Sequence, residues 1–426
     1  MGTHDDLLKR RRAVMPEWLA TSYEHPIAID HGEGSYVWDG EGNRYLDFFG
    51  GILTTMCGHN LEPVVDAIRH QAGQLLHCST LYLNEPMIEL AEMIAELSGI
   101  PDAKVFFTTS GTEANDTALM LAASYRRSNQ VLTLRNSYHG RSFSTVAVTG
   151  HRSWSPTSYS GLSVAFVHGG YRLRSPFRHL DDAAYTRACV DDLQQVLDMM
   201  TAGDVACMIA EPIQGVGGVA VPPPGFFGAM KEVLDEHDIL FVSDEVQTGW
   251  GRTGTGFWGY EAHDMVPDLL TFAKGVGNGL ALGGVVGRAD IMDHLEAKSI
   301  STFGGNPLAA AGATANLRYL LDNDLPANAT RMGERLGSGL HAATSGVPWV
   351  GEVRGTGLMW AVETVVPGTI DPAPEAAAAL HEATRERKLL LGRGGLYGNV
   401  LRIAPPLNVS SSEIDDALGV IADSLR

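Results

Sequence analysis

The chain has 426 residues, enough for two or three domains, and its 44% hydrophobic content is ample for sizeable cores. A formal net charge of -19 argues against a nucleic-acid partner. No apolar run reaches about 18 residues and residues 1–25 lack the hydrophobic region of a signal peptide, so we expect neither a membrane span nor secretion. Four scattered cysteines show neither metal-ligand spacing nor a disulfide framework, which predicts a reduced, cytoplasmic protein without a metal site.

Strand-like and helix-like segments alternate along the chain, as apolar runs separated by longer, partly polar stretches. Alternation of this kind predicts an α/β fold with a mostly parallel sheet and covering helices. Residues 365–379, rich in Pro and Ala, are predicted as a loop that opens a further helix. In chain order, strands are predicted at 105–109, 131–134, 164–167, 207–210, 239–242, 269–272 and 400–403, and helices at 114–127 and 229–237.

The strand at 105–109 leads into the turn Ser110-Gly111-Thr112-Glu113, whose Ser-x-x-Glu spacing predicts a capping box at the start of a helix. Gly111 would let the backbone approach a ligand, and the free amides of the first turn favour an anion together with the helix dipole. The segment therefore predicts an anion site, although an ordinary capped helix would carry the same residues.

Tyr138 and His139 follow the strand at 131–134, in a loop at the carboxyl edge of the sheet, where open α/β sheets bind ligands. The Tyr138 ring would be placed there to stack on a flat ligand. Ordinary loop packing would also account for both residues, so their meaning depends on the residues that follow.

Asp244 follows the apolar run 239–243, and Lys274 follows the apolar run 269–272. A desolvated lysine is costly unless its amine is used chemically, and a lysine with a lowered pKa forms Schiff bases. A carboxylate about 4 Å from a pyridine nitrogen, at an effective dielectric of about 20, contributes ~4 kcal/mol to keeping that nitrogen protonated. The pair indicates pyridoxal phosphate, with Lys274 on its aldehyde carbon, Asp244 at its ring nitrogen and Gln247 within reach of its phenolic oxygen.

Six short motifs follow one another along the chain. Residues 110–115, 138–141, 211–215, 244–254, 273–275 and 302–307 read Ser-Gly-Thr-Glu-Ala-Asn, Tyr-His-Gly-Arg, Glu-Pro-Ile-Gln-Gly, Asp-Glu-Val-Gln-Thr-Gly-Trp-Gly-Arg-Thr-Gly, Ala-Lys-Gly and Thr-Phe-Gly-Gly-Asn-Pro. Each motif alone is weak. Together they resemble the class III aminotransferases, also called the ornithine/GABA/omega-aminotransferase family, which are fold-type I enzymes that use pyridoxal phosphate. The likeness extends from Tyr23 to the C-terminus.

The resemblance implies that Lys274 forms the Schiff base with the cofactor and transfers a proton, while Asp244 pairs with the pyridine nitrogen. Thr302 would reach the cofactor phosphate of the neighbouring subunit, so the site would exist only in a homodimer. The cofactor-binding residues that the family implies are Ser110, Gly111, Thr112, Tyr138, His139, Glu211, Asp244, Gln247, Lys274 and Thr302.

The same resemblance implies a large cofactor-binding domain and a smaller α/β domain built from both chain ends. We expect the large domain at residues 61–318. Residues 1–60 and 319–426 would form the N-terminal and C-terminal parts of the small domain. The expected fold is therefore that of a fold-type I transferase with a mostly parallel central sheet.

Two arginines are candidates for substrate binding. Arg402 matches the carboxylate-binding arginine of the family, and a guanidinium fork suits a carboxylate. Arg141 falls where the GABA and ornithine branches have a second substrate-side arginine, with a helix-start or dimer-contact role as the alternative. Those branches mask the first arginine with a Glu directly after Gln-Gly, where this chain has Val216. The difference argues against ornithine and GABA as substrates and for exchange between amino and keto acids.

Segments 34–39, 45–52, 77–80 and 392–395 resemble the alanine-glyoxylate aminotransferase 2 subgroup of the family. We therefore expect ping-pong transfer of an amino group from an amino acid or amine to an oxo acid such as pyruvate or glyoxylate. The alternatives are a phospho-lyase acting on an amino-alcohol phosphate and an omega-aminotransferase acting on amines or omega-amino acids. A pyridine-nucleotide enzyme is disfavoured, because no predicted strand is followed by Gly-x-Gly-x-x-Gly and a later ribose-binding acid.

Overall fold

The computed structural model describes residues 4–426 of the chain, and within them the strands form three sheets. We call these the N-terminal, central and C-terminal sheets. In chain order, the strands are β1 Ile29–Glu33, β2 Tyr36–Asp39, β3 Arg44–Asp47, β4 Ala103–Thr108, β5 Gln130–Leu134, β6 Ser163–Val167, β7 Cys207–Ala210, β8 Leu240–Asp244, β9 Leu269–Phe272, β10 Gly283–Arg288, β11 Val350–Thr356, β12 Met359–Thr364, β13 Leu389–Leu390, β14 Gly392–Gly394 and β15 Val400–Ile403.

The central sheet has the strand order β4-β10-β9-β8-β7-β5-β6. Strands β5 to β9 pair in parallel, and β10 runs antiparallel to both of its neighbours. The N-terminal sheet has the order β1-β2-β3-β13, so that β13 comes from the far end of the chain and pairs in parallel with β3. The C-terminal sheet has the order β11-β12-β15-β14 and is antiparallel.

Helices cover the central sheet on both faces and pack beside the two smaller sheets. The helices are α1 His4–Val14, α2 Gly50–Leu53, α3 Glu62–Ala72, α4 Glu85–Leu97, α5 Gly111–Arg126, α6 Phe143–Ala147, α7 Asp182–Met200, α8 Phe226–Glu236, α9 Ala289–Met292, α10 Pro307–Asp322, α11 Leu325–Thr344, α12 Pro374–Glu386 and α13 Ser411–Ser424. Of these helices in residues 4–426, none combines the length and the apolarity that a membrane crossing needs.

The alternation of side chains along β5 shows how the central sheet is enclosed. Val131 packs with α5 on one face, whereas Leu132 and Leu134 pack with α7 and α8 on the other. Every residue of β5, β7, β8 and β9 is buried, as a parallel sheet covered on both faces requires. Polar residues that directly follow these strands are therefore held at one edge of the sheet.

The α/β class and the mostly parallel central sheet are confirmed. The predicted strands at 207–210, 269–272 and 400–403 coincide with β7, β9 and β15, and the others agree with observed strands to within a residue or two at each end. β10 was not predicted, because its sequence Gly-Gly-Val-Val-Gly-Arg lacks the apolar and β-branched density of a strand signal. The predicted domain limits stay predictions, and residues 1–3 of the first segment lie outside the described residues.

The predicted capping box at Ser110 forms in one direction only. Ser110 Oγ accepts a hydrogen bond from the backbone N–H of Glu113 at 3.2 Å, as predicted. The prediction of a return bond from the N–H of Ser110 to Glu113 is wrong. Glu113 Oε2 instead accepts from the N–H and the hydroxyl of Thr109 at 2.7 and 2.6 Å. Two short donors stabilise a carboxylate more than one amide does, so the bond forms one residue earlier in the chain.

Candidate active site

A cavity of 270 Å³ lies at the carboxyl ends of β4, β5, β7, β8 and β9. This is the edge at which open α/β sheets bind ligands. Each strand leads directly into a loop or helix start that brings a polar side chain to the cavity. The cavity lining includes the predicted residues Ser110, Gly111, Thr112, Tyr138, His139, Glu211, Asp244, Gln247 and Lys274.

Lys274 follows β9 in a left-handed backbone conformation, with a φ of 46°. A non-glycine residue in this region carries strain of about 1–3 kcal/mol, and such strain clusters at functional sites. Its Nζ atom has no hydrogen-bond partner within residues 4–426. Removal from water lowers the pKa of Lys274 to about 8, with Arg402 adding to the effect and Asp244 and Glu211 opposing it. The amine is therefore partly neutral, as a nucleophile must be.

Asp244 ends β8, and three hydrogen bonds fix its carboxylate. Oδ2 lies 2.7 Å from His139 Nδ1 and accepts from Asn115 Nδ2 at 2.8 Å, while Oδ1 accepts from the backbone N–H of Val246 at 3.2 Å. Asn115 is held in turn by the hydroxyl of Thr271, which donates to its Oδ1 at 2.6 Å. The carboxylate is thus immobilised beside the cavity.

Asn115 and Thr271 were given no role by the sequence analysis. A signal for Asn115 was available, because it lies four residues after Gly111 and so shares a face of α5 with it. Thr271 stands inside an apolar strand, and the sequence alone does not show which face of β9 meets Asn115.

Glu211 follows β7 and holds the backbone around the cavity. Its Oε1 accepts from the N–H of Tyr138 at 2.9 Å, and its Oε2 accepts from the N–H of Gly215 at 2.8 Å. Burial raises the pKa of Glu211 to about 7, the charge of Asp244 raises it further and His139 opposes the shift. Glu211 therefore positions the Tyr138 loop, while the Tyr138 ring lines the cavity with the Trp154 ring 5.3 Å from it.

The predicted anion site is the N-terminus of α5. This helix has 16 residues and its N-cap is Ser110, so the amides of the first turn and the helix dipole meet the cavity beside Thr112. An unpaired lysine amine, an immobilised carboxylate and a helix N-terminus are the three groups that the aldehyde, the ring nitrogen and the phosphate of pyridoxal phosphate require. The residues of the cavity therefore fit this cofactor.

Arg402 on β15 lies beside the cavity and contacts its lining through Gln247. Its Nη2 donates to Gln247 Oε1 at 2.6 Å, and its guanidinium lies 5.4 Å from the centre of the Phe49 ring. Because arginine only donates, the amide oxygen must face it, and the amide nitrogen of Gln247 has no partner within residues 4–426. Burial lowers the pKa of Arg402 to about 10, so the side chain stays charged at neutral pH.

Arg141 and Thr302 do not line the cavity. Arg141 is exposed, with its guanidinium 6.0 Å from the centre of the Trp18 ring. Thr302 is exposed in a neighbouring cleft that also contains Thr109 and Glu113. Their substrate-binding and cross-subunit roles stay predictions.

The chain is similar to known proteins over nearly its whole length. Residues 19–425 match the model of the family "Aminotransferase class-III". The chain is 37% identical over 419 residues to alanine–glyoxylate aminotransferase 2 homolog 2 of Arabidopsis thaliana, which covers 96% of this chain and 85% of that protein. It is also 37% identical over 419 residues to acetylornithine aminotransferase of Caldanaerobacter subterraneus, covering 96% of this chain and 97% of the relative.

A solved structure extends the likeness to a different reaction. A phospholyase from Arthrobacter in complex with phosphoethanolamine superimposes with a TM-score of 0.90 at 31% sequence identity, covering 99% of both chains. The fold is that of the fold-type I enzymes that use pyridoxal phosphate, as predicted from the sequence. The likeness to proteins of several substrates leaves the substrate to be argued from the site itself.

Proposed function

Because the chain belongs to the class-III aminotransferase family, whose members depend on pyridoxal phosphate, we propose that it transfers an amino group from an amino acid or amine to an oxo acid such as pyruvate or glyoxylate. The transfer follows a ping-pong mechanism with two half-reactions. The observation that carries the proposal is one cavity in which Lys274 has no hydrogen-bond partner within residues 4–426 while His139 and Asn115 fix Asp244.

The bound cofactor supplies an aldehyde that takes up the amino group and a ring that accepts electrons. Lys274 accepts and returns a proton at its Nζ atom, a role that a pKa of about 8 favours near neutral pH. With the cofactor bound, the carboxylate of Asp244 would keep the ring nitrogen protonated. Tyr138 would cover the ring, and the first-turn amides at Gly111 and Thr112 would hold the phosphate.

Arg402 is the proposed carboxylate clamp. Its guanidinium is charged and buried beside the cavity, and its resting partner is the neutral amide of Gln247. The neighbouring loop offers the apolar Val216 where a glutamate would compete with the substrate for the arginine. A neutral partner is displaced more easily than a charged one, so Arg402 serves carboxylated substrates in both half-reactions.

A homodimer is the second part of the proposal. Large apolar side chains are exposed in the segment of Leu81, Tyr82 and Leu83 and again at Ile300 and Phe303, on either side of Thr302. The Phe303 ring lies 5.0 Å from the ring of His77, so Phe303 lies beside the chain that leads to Leu81. An exposed apolar surface of this kind supports a protein contact, and a second copy would bring Thr302 towards the neighbouring cofactor phosphate.

A cytoplasmic location is proposed as well, because the four cysteines are all free, as is usual in a reducing compartment. Three of them, Cys57, Cys189 and Cys207, are buried. Burial raises the pKa of each of these three thiols to about 12, so they are neutral and inert at cellular pH.

The test is a substrate screen with the purified holoenzyme. With alanine as donor and glyoxylate as acceptor, we expect pyruvate and glycine in equal amounts. Chromatography measures both products. Replacing Arg402 by Met removes a charge-assisted bond of about 1.5–3 kcal/mol, so each half-reaction should lose roughly tenfold to over a hundredfold in specificity constant. Arg335→Met is the matched control, because Arg335 pairs with Asp415 on a partly exposed surface, away from the cavity.

Phosphoethanolamine is offered in the same screen without an amino acceptor, because a phospholyase is among the structures of this fold. Release of inorganic phosphate and ammonia without amino transfer to any oxo acid would overturn the aminotransferase proposal. If the enzyme transfers amino groups from amines or omega-amino acids and Arg402→Met has no effect, the aminotransferase proposal stands. The proposed role of Arg402 as the carboxylate clamp is then refuted.

A further inference from the structure

A second, mostly buried arginine, Arg354, stands in line with Arg402 on the C-terminal sheet, and its side chain is 10% exposed. Arg354 of β11 pairs with Ala361 of β12, and Ala361 pairs in turn with Arg402 of β15. Residues in register across antiparallel strands project from the same face of a sheet. Arg354 and Arg402 therefore leave the C-terminal sheet from one face, two strands apart.

Arg354 uses its guanidinium to hold a loop that follows β7. Its Nε donates to the carbonyls of Gly218 and Val219, both at 3.0 Å, and its Nη2 donates again to Gly218 at 2.6 Å. The loop, residues 215–219, is closed at its base by paired backbone bonds between Gln214 and Ala220. We call it the 215–219 loop.

The opposite side of the Arg354 guanidinium is anchored by a buried carboxylate. Its Nη1 donates to Glu363 Oε2 at 2.7 Å, and Glu363 is fully buried. Glu363 Oε1 accepts further bonds from Tyr171 at 2.8 Å, Arg174 at 3.0 Å and Asn399 at 3.1 Å. Such a saturated network leaves Arg354 one orientation, so the loop carbonyls are held in one place.

The loop needs that support because its backbone is strained. Val219 has a φ of 54° although it is β-branched, and its side chain is buried at 1% exposure. A β-branched residue with positive φ is a true outlier, and it persists only when its surroundings enforce it. Arg354 binds the carbonyl of Val219 itself and the carbonyl before it, which are the two groups that the unusual backbone turns towards the C-terminal sheet.

The other end of the loop touches the surroundings of Arg402. A Cβ on Gly215 would lie 2.4 Å from Gln247 Oε1, the atom that Arg402 binds, so Gly215 packs directly against that amide. Val216 accepts from the N–H of Gly395 at 3.0 Å. A Cβ on Gly394 would lie 2.9 Å from Arg402 Cδ and 3.2 Å from the carbonyl of Val216, so the loop and the arginine enclose this strand end.

From these contacts we propose that Arg354 is a positioning residue that sets carboxylate specificity. It holds the 215–219 loop in its strained form, and the loop holds Gln247 and the Gly394 backbone where they fix Arg402. A substrate without a carboxylate does not use Arg402 and is indifferent to Arg354. The inference rests on the proposed role of Arg402 as the carboxylate clamp.

The experiment compares Arg354→Met and Arg354→Lys with the control Arg335→Met in the holoenzyme. The first readout is the dissociation constant of propionate, an unreactive carboxylate, measured by calorimetry. The second is the dissociation constant of pyridoxal phosphate and the visible absorbance of the loaded protein. Half-reaction kinetics with alanine and with an uncarboxylated amine give the third.

For Arg354→Met we expect propionate binding and the KM of alanine to weaken by roughly 10- to 100-fold, because a displacement of about 1 Å is enough for such a loss. Cofactor affinity and the kinetics of the amine should change much less than the KM of alanine, because Lys274 and the start of α5 do not contact the loop, whereas a merely structural role predicts equal losses. Arg354→Lys keeps the charge beside Glu363 but cannot span both carbonyls, so it should show the same selectivity with a smaller loss. If Arg354→Met does not fold, Arg354→Lys alone provides the test.

Equal losses for alanine, the amine and the cofactor would overturn the inference, as would propionate binding that does not change. Failure of the proposed function gives a different pattern. In that case Arg402→Met leaves propionate binding unchanged. Arg402 is then not the carboxylate clamp, whatever the effect of Arg354→Met.

Discussion

At the scale of single residues, the charge of Lys274 is set by its surroundings rather than by its own chemistry. Removal from water is the main reason that its pKa lies at about 8, below the ordinary lysine value. Asp244 and Glu211 raise the pKa against this effect, whereas Arg402 lowers it. Below pH 8 the amine is mostly protonated and cannot attack an aldehyde, and above pH 8 it is mostly neutral.

The rate at which the cofactor-free protein captures pyridoxal phosphate at Lys274 should therefore rise with pH and level off above about 8. Arg402→Met removes a cause that lowers the pKa, so its profile should move to higher pH. Asp244→Asn removes a cause that raises it, so its profile should move to lower pH. Stopped-flow absorbance measures the rate, and borohydride trapping with mass spectrometry verifies the site. Movement of both profiles in the same direction would refute this electrostatic account.

The sequence alone pointed to residues whose side-chain type is unusual for their local sequence context. Lys274 and Asp244 were predicted because a charged side chain directly after an apolar strand needs a purpose. The bond between Arg402 and Gln247 was not predicted, because it joins residues 155 positions apart, one on β15 and the other in the turn after β8. Arg354 was missed for the same reason, since its partners come together only when the C-terminal sheet packs on the loop after β7.

At the scale of elements, one residue of α5, the N-cap Ser110, both caps the helix and lines the cavity. Ser110 caps the helix by accepting from the N–H of Glu113, and the same helix start faces the cavity. α13 offers a natural comparison, because Ser410 caps it in the same way with a complete capping box far along the chain. The sequence predicted Ser110 as the cap, but α5 begins at Gly111 rather than at the predicted Ala114, because the turn 110–113 continues into the helix. The partner of Glu113 was not predicted either, since it depends on the exact turn at Thr109.

Ser110→Ala and Ser410→Ala should each lower the free energy of unfolding by about 1 kcal/mol, the usual value for a lost N-cap. Only Ser110→Ala should also weaken the binding of pyridoxal phosphate, and it should weaken it more than the binding of pyridoxal, which has no phosphate. Chemical denaturation and fluorescence titration give the two quantities. If both variants weaken the cofactor equally, the effect comes from stability and the helix start is not the phosphate site.

At the scale of the whole molecule, the described chain carries the candidate active-site cavity and, next to it, an exposed apolar surface around Thr302. Leu83 is 92% exposed and Phe303 is 59% exposed, values that a second protein copy would reduce. The alternation of strand-like and helix-like segments predicted an α/β fold, and the family resemblance implied a dimer. The surface itself could not be located from the sequence, because the two segments that form it lie far apart along the chain.

Hybrid dimers test whether Thr302 acts across the subunit interface. Lys274→Ala is expected to be inactive and Thr302→Ala to be weak. When the two variants are mixed and allowed to exchange subunits, one site of each hybrid should be doubly damaged and the other should be intact. Activity should therefore exceed that of Thr302→Ala alone. As a control, Lys274→Ala is mixed with the parent protein. The activity per parent subunit should then stay unchanged. A fully active monomer by light scattering would exclude the arrangement.

The pairing of β13 with β3 has a consequence for how the protein is made. Leu389 lies beside Leu46 in the N-terminal sheet, so one edge of β3 has no strand partner until Leu389 has left the ribosome. At about 5–20 residues per second, the roughly 340 intervening residues take about 20 to 70 seconds to synthesise. During that interval the open edge of β3 can pair with another nascent chain. The N-terminal sheet is therefore completed late in synthesis, and chaperones that shield strand edges are expected to raise the yield of folded enzyme.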